Sequence, residues 1–346
     1  MDIGETAIDS IQDSVVRHYE KFRQLKLVVS GGIAGCVSKT VVAPLSRVTV
    51  LMQVQSMRPH KFNDGVNPNN LHMFASFRKI IREEGASGLW RGNLAMVCHR
   101  FPYAGVTFFV NASLRDRLDL LPLSALVPEQ LRGLAAGAAG ASAGVLLCYP
   151  LDVVKTRLIT QTKREHYHGI VDALVRIRSE EGFRGWYRGL GVSMVTVVPT
   201  LSLNFALYEE FHHLYGAIDP AGPWHTLLAG GSAGAVATTV LFPMDLLRRQ
   251  MQMVGFGGRP LVYSSVFEAI HHIFETGTKR APRDGHALLR VPFGLREFFR
   301  GLLPELAKVI PATAILFSVQ ARLMSWRWPF EEDTPRPKSG SRVGKK

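Results

Sequence analysis

Stretches with almost no charged side chains alternate with polar stretches along this chain. The charge-poor stretches lie within six segments whose apolar content suits long helices. Each segment reaches about the 20 residues that a helix needs to cross a hydrocarbon core of about 30 Å. Glycine, serine and threonine dilute their hydropathy, so each segment is only a modest span by composition. The pattern predicts helices over residues 24–53, 93–114, 128–160, 190–213, 224–253 and 302–326.

Prolines in similar contexts mark an internal repeat with a period of roughly 100 residues. The segments APLSRVTVLMQ, YPLDVVKTRLI and FPMDLLRRQMQ contain Pro44, Pro150 and Pro243. An aromatic-Arg-Gly step follows each of them, beginning at Trp90, Tyr187 and Phe299. A second proline follows each step at one constant interval, at Pro102, Pro199 and Pro311. Proline inside a helix is better tolerated in a membrane protein, where neighbouring helices satisfy the freed carbonyl group.

The repeat predicts an all-α membrane protein with six transmembrane helices in three pseudo-threefold repeats around a central cavity. An even number of spans places both termini on the same side of the membrane. The predicted boundaries are an N-terminal leader at 1–23, three repeats at 24–122, 123–219 and 220–328, and a disordered tail at 329–346. Residues 276–292 lengthen the polar loop of the third repeat as an insertion, to which the sequence assigns no role.

Composition narrows the class of protein further. The 346 residues include 41 Lys and Arg against 28 Asp and Glu, which gives a net charge of +13 and indicates anionic partners. A hydrophobic content of 47% excludes a disordered basic protein, and three cysteines exclude a disulfide scaffold. A soluble nucleic-acid binder is disfavoured by the charge-poor proline helices. No phosphate-loop or nucleophile-elbow motif and no convincing zinc spacing occur, so we expect no enzyme, cofactor or metal.

Polar residues recur two and five positions after the first proline of each repeat. They are Ser46 and Thr49, Asp152 and Lys155, and Asp245 and Arg248. An acid and a base three residues apart lie on one helix face and can form an ordinary pair within the helix. Alternatively, three bent helices converge, and the acid of one repeat meets the base of another to close one end of the cavity. Charges that face lipid would be costly, so these side chains should point inward.

The repeated P-x-[DE]-x-x-[KR] pattern, each followed by an aromatic-[KR]-Gly step, resembles the mitochondrial carrier family over about residues 24–326. The resemblance implies a monomeric, multi-pass protein of the mitochondrial inner membrane that exchanges small anions by alternating access. It also implies a matrix gate in which the candidate pairs are Ser46–Lys155, Asp152–Arg248 and Asp245–Thr49. Only Asp152–Arg248 carries both charges.

Departures from the family pattern predict two weak gates. The family braces its matrix gate with a glutamine nine residues after the proline, which Gln53 and Gln252 match and Ile159 does not. A cytosolic gate is represented only by Tyr208 and Glu209, with His212 in place of the base.

Candidate substrate contacts lie three residues before the second prolines, where pseudo-symmetry makes the repeats face one another. These positions are His99, Thr196 and Lys308, and they have Arg100 and Val197 as neighbours. Lys39 matches a substrate-binding lysine of adenine nucleotide carriers. Such a buried group of bases would need a bound polyanion, because desolvating like charges is costly. His99 could instead be a neutral core residue, and Arg100 could extend to the surface.

The amino-acid sequence around the repeated motifs resembles that of the adenine nucleotide and coenzyme A branch of the family. The segments SKTVVAPLSRVTVLMQ, HRFPYAGVTFF and GLLPELAKVIPATAILF carry this resemblance. Arg248-Arg249 is followed by Gln250 rather than a third arginine, which disfavours the strict ADP/ATP exchanger. We therefore expect an antiporter of coenzyme A or of AMP, ADP or ATP. The alternative is a carrier-fold protein that moves another small anion or leaks protons.

The aromatic-Arg-Gly steps fall where the second helix of each repeat begins. Helix N-termini present free amide groups and a partial positive charge, which favour phosphate. The resemblance implies cardiolipin sites at these steps. Ordinary helix starts with exposed arginines are the alternative. The candidate lipid-binding residues are Arg91, Gly92, Arg188, Gly189, Arg300 and Gly301.

Overall fold

The computed structural model is mostly helical in the part of the chain that it describes. This part comprises Lys26, Met57 and residues 29–54, 73–120, 127–161, 166–218, 224–256, 265–279 and 287–326. The predicted leader at 1–23 and tail at 329–346 lie outside the described residues, and so does the middle of the insertion at 276–292. The helix content agrees with the predicted all-α class.

Two long helical spans and shorter connecting helices make up each repeat. The first repeat contains α1 (Val29–Val41), α2 (Ala43–Gln53), α3 (Met73–Glu84), a 3-10 turn (Ala86–Trp90) and α4 (Asn93–Leu120). The second contains α5 (Glu129–Thr160), α6 (Ile170–Glu181), α7 (Phe183–Trp186) and α8 (Leu190–Ile218). The third contains α9 (Trp224–Met253), α10 (Val266–Lys279), α11 (Ala287–Glu297) and α12 (Leu302–Ser325).

The predicted helix over 24–53 is bent beside Pro44 as expected, and the bend is sharp enough to divide it at Val42 into α1 and α2. Pro44 lacks the N–H group that would bond the carbonyl oxygen of Thr40. The indole N–H of Trp90 donates to that oxygen at 2.9 Å instead. The equivalent helices α5 and α9 continue through their prolines.

Two helices are longer than their apolar segments predicted. The prediction ended them at residues 114 and 213, whereas α4 extends to Leu120 and α8 to Ile218. The turns added to α4 carry polar groups such as Arg115 and Asp116. Hydropathy marks the part of a helix that suits lipid, and a helix can continue into water beyond it.

Length and composition identify membrane-crossing candidates among the described helices. Three helical stretches qualify, at Glu129–Thr160, Phe183–Ala217 and Leu302–Ser325, and the broken pair α1 and α2 qualifies together. The other long helices, α4 and α9, do not meet these criteria. Helix α4 carries His99 and Arg100, and α9 is rich in glycine, serine and threonine. This agrees with the expected dilution of the hydropathy signal.

The described chain divides into two compact units. The smaller consists of residues up to Val37 and from Ile315, and the larger of Ser38–Ala314. Within the smaller unit, Lys26 Nζ donates to the carbonyl oxygen of Trp326 at 3.0 Å. The larger unit contains all of the candidate site residues.

Glycines at the start of α4, α8 and α12 hold the repeats together in cyclic order within the larger unit. Gly92, Gly189 and Gly301 have φ of 80°, 85° and 93°. A Cβ atom at Gly92 would lie 3.0 Å from the main-chain nitrogen of Ile159 in the second repeat. At Gly189 and Gly301 it would lie 3.3 Å and 3.2 Å from carbonyl oxygens of the third and first repeats. We call these regions the first, second and third repeat contacts, which join repeats one and two, two and three, and three and one.

Candidate functional site

Asp152 on α5 is the centre of a charged cluster, with 4% of its surface exposed. Its carboxylate forms ion pairs with Lys155 on the same helix and with Arg248 on α9. Gln252 Nε2 donates to Asp152 Oδ2 at 2.7 Å, and His99 Nε2 on α4 lies 4.0 Å from Oδ1. One carboxylate therefore links three helices. It forms both of the pairs considered for these positions, the pair within one helix with Lys155 and the pair between repeats with Arg248.

A hydrogen-bonded brace supports this cluster. Thr156 Oγ1 donates to Gln252 Oε1 at 2.7 Å. The side-chain amide of Gln252 therefore accepts one hydrogen bond through its oxygen and donates another through its nitrogen, to Asp152. Tyr149 OH donates to the carbonyl oxygen of Arg188 at 3.1 Å and accepts from Gln252 Nε2 at 3.4 Å. The second repeat contact is thus fixed by side chains from α5 and α9 and by the carbonyl oxygen of Arg188, just before α8.

The other two candidate gate pairs form no contact in the described part of the chain. Ser46 and Thr49 are buried, and Thr49 Oγ1 donates to the carbonyl oxygen of Leu45 on its own helix at 3.0 Å. Asp245 interacts electrostatically with Arg248 but makes no hydrogen bond or ion pair among the described residues. Gln53 contributes its main-chain oxygen rather than its side chain, as the acceptor of a bond from α9.

Two buried arginines that the sequence prediction missed connect neighbouring repeats. Arg47 is 1% exposed and donates to the carbonyl oxygens of Ile159 and Gln161 at 3.2 and 3.1 Å. It also forms an ion pair with Glu84 at 2.9 Å, so its positive charge is neutralised by an acid of the first repeat.

Arg157 has the same role at the second contact. It is 0% exposed and donates to the carbonyl oxygens of Gln252 and Val254 at 3.1 and 3.3 Å. Its ion pair is with Glu181. At the third contact, Gln250 Nε2 donates to the carbonyl oxygen of Gln53 at 2.9 Å.

The aromatic-Arg-Gly steps carry arginines that already have acidic partners. Arg91 Nη1 lies 3.4 Å from Glu84 and Arg188 Nη1 lies 3.2 Å from Glu181. Arg300 Nη1 lies 2.9 Å from Glu297 Oε1 in the third repeat. These pairs reduce the charge available to a lipid headgroup, so the lipid role of these steps stays a prediction.

Lys39 and Lys308 belong to one electrostatic neighbourhood within the larger unit. Lys39 is exposed as a residue, and its ammonium group interacts electrostatically with Lys308, Lys155 and Arg100. Lys308 Nζ lies 2.6 Å from Glu305 Oε2 on α12. The sequence prediction omitted Glu305, although an acid three residues before Lys308 shares its helix face and could have been found.

Thr196, Val197 and His99 line two adjoining cavities, whereas Arg100, Lys39 and Lys308 line neither of them. The first has a volume of about 230 Å³, and its lining includes Thr196, Val197, Thr200 and Asn204 of α8. The second, of about 180 Å³, lies around the Asp152 cluster and includes His99, Lys155 and Arg249. Both are lined by Tyr103, Val145 and Arg248. The ring of His99 stacks on that of Tyr103, with centroids 5.6 Å apart.

The candidate cytosolic gate on α8 contains one ring contact. The rings of Tyr208 and His212 are 5.6 Å apart and tilted by 40°. Glu209 is exposed and forms no ion pair among the residues that the structure describes. The geometry gives this end of the helix no counterpart of the Asp152 cluster within the described part.

Three helical repeats, membrane-crossing helices and a charged cavity define a multi-pass membrane transporter, and sequence comparison identifies its family. The family model described as mitochondrial carrier protein matches residues 20–119, 128–218 and 219–327. The chain therefore belongs to the mitochondrial carrier family, as its sequence motifs predicted. The prediction of an all-α membrane protein of three repeats is confirmed as well.

Several named carriers are similar to this chain over most of its length. The mitochondrial adenine nucleotide transporter ADNT1 of Arabidopsis thaliana is 33% identical, covering 84% of this chain and 84% of that protein. Mitochondrial carrier protein CoAc2 of Zea mays is 30% identical, covering 84% and 83%. Mitochondrial thiamine pyrophosphate carrier 1 of Phaeosphaeria nodorum is 30% identical, covering 91% and 96%. The first two support the predicted adenine nucleotide and coenzyme A branch.

Proposed function

We propose that this protein is an antiporter of the mitochondrial inner membrane that exchanges an adenine-containing polyanion by alternating access. The substrates are coenzyme A, or AMP, ADP and ATP. The observation that carries this proposal is the pair of adjoining cavities with different linings. One offers aliphatic and hydroxyl groups beside Tyr103, which suit a purine ring, and the other offers cations, which suit phosphate groups.

The balance of charge around the cavities favours a polyanion over a neutral solute. Among the described residues, the acids Asp152 and Asp245 line the cavities, and Glu305 interacts electrostatically with nearby bases. The bases outnumber them, with Lys39, Arg100, Lys155, Arg248, Arg249 and Lys308. An anionic substrate would offset the cost of desolvating the unmatched cations. The relatives named above agree, because adenine nucleotides, coenzyme A and thiamine pyrophosphate all carry phosphate groups.

Substrate binding would be coupled to the opening of the matrix gate. The Asp152–Arg248 pair connects the second and third repeats, and Gln252 braces it. A substrate that neutralises the surrounding bases binds best where they converge, so it stabilises an occluded state relative to either open state. The neutral Ser46 and Thr49 make this gate weaker than a complete set of ion pairs. We expect a monomer to suffice for the cycle.

The substrate class can be tested on protein reconstituted into liposomes. We expect exchange of labelled ADP or coenzyme A against the same compounds inside, and loss of exchange in Lys308→Ala. The double variant Lys308→Ala/Glu305→Ala separates a substrate contact from simple neutralisation of Glu305. Exchange restored in the double variant, or normal exchange in Lys308→Ala, would reject Lys308 as a substrate contact. Lys279→Ala, on the exposed face of α10, is the matched control.

A ligand screen identifies which anion is carried. Thermal unfolding of the detergent-solubilised protein is measured with adenine nucleotides, coenzyme A, thiamine pyrophosphate and dicarboxylates. The transported compound should raise the melting temperature by mass action, by an amount that grows with its concentration. Stabilisation by dicarboxylates alone would reject the adenine-containing class.

A leak of protons or of another small anion is the second candidate function. Its support is the absence of a charged partner opposite Lys155 and Asp245 at the first and third contacts within the described part of the chain. Proton flux in liposomes without nucleotide, inhibited by neither ADP nor coenzyme A, would favour it over antiport.

The helix starts after Gly92, Gly189 and Gly301 are proposed cardiolipin sites. The partial positive charge of these N-termini supports the assignment, and the acid–arginine pairs beside them limit its strength. Added cardiolipin should raise the melting temperature more than phosphatidylcholine does, and no difference between the two lipids would reject it.

A further inference from the structure

We propose that Asn204 on α8 recognises the heterocyclic base of the substrate by accepting a hydrogen bond from an amino group on its ring. The inference rests on the proposed function, and it adds the chemistry that the first cavity requires of the base. It predicts a preference for a ring that carries an amino group, such as adenine, over the closely similar ring that carries an oxo group, such as hypoxanthine.

A stripe of polar residues lies along the part of α8 that faces the first cavity. Its members are Thr196, Thr200 and Asn204, and all three line this cavity, whose volume is about 230 Å³. Residues four positions apart lie on one face of a helix. Polar side chains are costly in contact with lipid, which agrees with their place at a cavity.

Each side chain of the stripe donates a hydrogen bond to a carbonyl oxygen of its own helix. Thr196 Oγ1 donates to the carbonyl oxygen of Ser193 at 2.8 Å, and Thr200 Oγ1 donates to that of Thr196 at 2.6 Å. Asn204 Nδ2 donates to the carbonyl oxygen of Thr200 at 2.7 Å. A hydroxyl group has only one hydrogen, so the two threonines can only accept from a ligand.

The carbonyl group of Thr200 fixes the orientation of the Asn204 amide. A carbonyl oxygen only accepts hydrogen bonds, so the amide atom beside it must be the nitrogen. Turning the amide over would bring two acceptor oxygens together. Asn204 Oδ1 makes no hydrogen bond among the residues that the structure describes, so it is an acceptor available to a ligand.

Hydrogen bonds within the helix explain the threonines but leave this acceptor of Asn204 over. A ligand that fills the cavity displaces water from Asn204 Oδ1. An amino group on the ligand replaces the lost hydrogen bond, whereas an oxo group places a second acceptor beside the first. Sites built to hydrogen-bond a substrate group discriminate well against analogues that lack it, because the polar group of the site is left unpaired.

The position of Asn204 suits an extended ligand whose phosphate groups lie near the Asp152 cluster. Arg248 lines both cavities, and Ser193 Oγ donates to the hydroxyl oxygen of Tyr149 at 3.2 Å. Asn204 lies about three helical turns beyond Ser193, roughly 16 Å along the axis of α8. A base at Asn204 and phosphate groups near Arg248 therefore require a long ligand, such as a nucleoside polyphosphate.

The test compares pairs of ligands that differ chiefly in this one ring substituent. ADP has an amino group where inosine diphosphate has an oxo group, and thiamine pyrophosphate and oxythiamine pyrophosphate form a second such pair. Apparent affinities are measured in liposomes by competition with the labelled amino compound that the native protein exchanges. Thermal unfolding in detergent measures binding of the same four compounds.

The variants separate the loss of the acceptor from a change of shape. Asn204→Ala removes the amide, and Asn204→Leu removes it but fills its space. Ser202→Ala is the matched control, because Ser202 is on the same helix and lines neither cavity.

We expect the native protein to bind the amino compound about fivefold to tenfold more tightly than its oxo partner. Both Asn204 variants should bring this ratio close to one, mainly by weakening the amino compound, and Ser202→Ala should keep it. The proposal is overturned by equal affinities in the native protein, by a preference for the oxo compound, or by a ratio that either Asn204 variant retains.

The two ligand pairs distinguish failure of this inference from failure of the proposed function. Exchange of ADP or coenzyme A without a preference for the amino compound rejects the role of Asn204 alone. Exchange of thiamine pyrophosphate without any exchange of adenine compounds rejects the adenine-containing class. In that case a preference over oxythiamine pyrophosphate that is lost in the Asn204 variants still supports the inference. A native protein that neither exchanges nor binds either pair overturns both.

Discussion

The second and third repeat contacts have the same backbone packing but different side-chain chemistry. At the second contact a glycine at the start of α8 packs on α9, and at the third a glycine at the start of α12 packs on α2. Charged groups reinforce the second contact, through the Asp152–Arg248 pair and buried Arg157. The third has a neutral amide bond from Gln250 to the carbonyl oxygen of Gln53.

The difference indicates that glycine packing brings the repeats together and that polar side chains set the cost of separating them. A neutral hydrogen bond contributes about 1 kcal/mol net, whereas breaking one side of a buried ion pair costs about 3–5 kcal/mol. We therefore expect the third contact to separate at lower cost than the second. The first contact is intermediate, because buried Arg47 reinforces it while Ser46 provides no charge.

Removing the charge of Asp152 should have the largest effect. Asp152→Asn leaves the half-buried cations of Lys155 and Arg248 near each other without their acid, and the cost approaches the roughly 3–5 kcal/mol of a fully buried pair. We expect a marked drop in melting temperature and loss of coupled exchange. Thermal unfolding in detergent and flux assays in liposomes measure the two effects.

Asp245→Asn is the matched control at the third contact. Asp245 makes no hydrogen bond or ion pair in the described part of the chain, so the substitution should change stability by no more than about 0.5 kcal/mol. Equal destabilisation by the two substitutions would contradict the distinction between the contacts.

The bridging side chains provide the next test. Arg157→Gln removes bonds to two carbonyl oxygens of the third repeat and the ion pair with Glu181. Because Arg188 still lies 3.2 Å from Glu181, the expected cost is at the lower end, about 3 kcal/mol. Gln250→Ala should cost only about 1 kcal/mol. Thermal unfolding of both variants gives the comparison, and a larger loss from Gln250→Ala would reverse our ranking.

The sequence predicted the repeats well because proline and glycine act locally. The helix predicted over 224–253 coincides with α9, and the left-handed φ at Gly92 lies within the predicted aromatic-Arg-Gly step. The break at Val42 could not be predicted from Pro44 alone. The freed carbonyl group there is satisfied by Trp90, a residue distant in sequence.

The candidate site was less predictable because its partners cross between repeats. Arg157 and Gln250 occupy the same position relative to their prolines, but the bridging residue of the first repeat, Arg47, stands one turn earlier. A search by repeat position therefore overlooks it. The ion-pair partner of Lys155 was also unpredictable from sequence. The choice between Asp152 and a residue of another repeat depends on tertiary packing.

Adding charge to the first contact should make it resemble the second. Ser46→Asp places an acid where the family pattern has one and offers Lys155 a partner in the first repeat. A gain of about 1 kcal/mol would slow any leak through the gate roughly fivefold. Proton or anion flux in liposomes without substrate measures this. Ser46→Asn changes shape without charge and should have no such effect, and an unchanged leak in Ser46→Asp would contradict the weak-gate hypothesis.

The smallest effect is expected from an exposed pair on α6, the helix that also carries the buried partner Glu181. The main-chain N–H of His168 and then the side chain of Arg176, each at 2.9 Å, lower the pKa of Asp172 below its ordinary 3.8. A lowered pKa stabilises the fold above that ordinary value, and the contribution is lost as pH falls through the folded pKa. Asp172→Asn should therefore lower the melting temperature slightly at neutral pH, and the difference from the native protein should vanish in acid. A difference that persists in acid would mean that helix capping, and not charge, accounts for the effect.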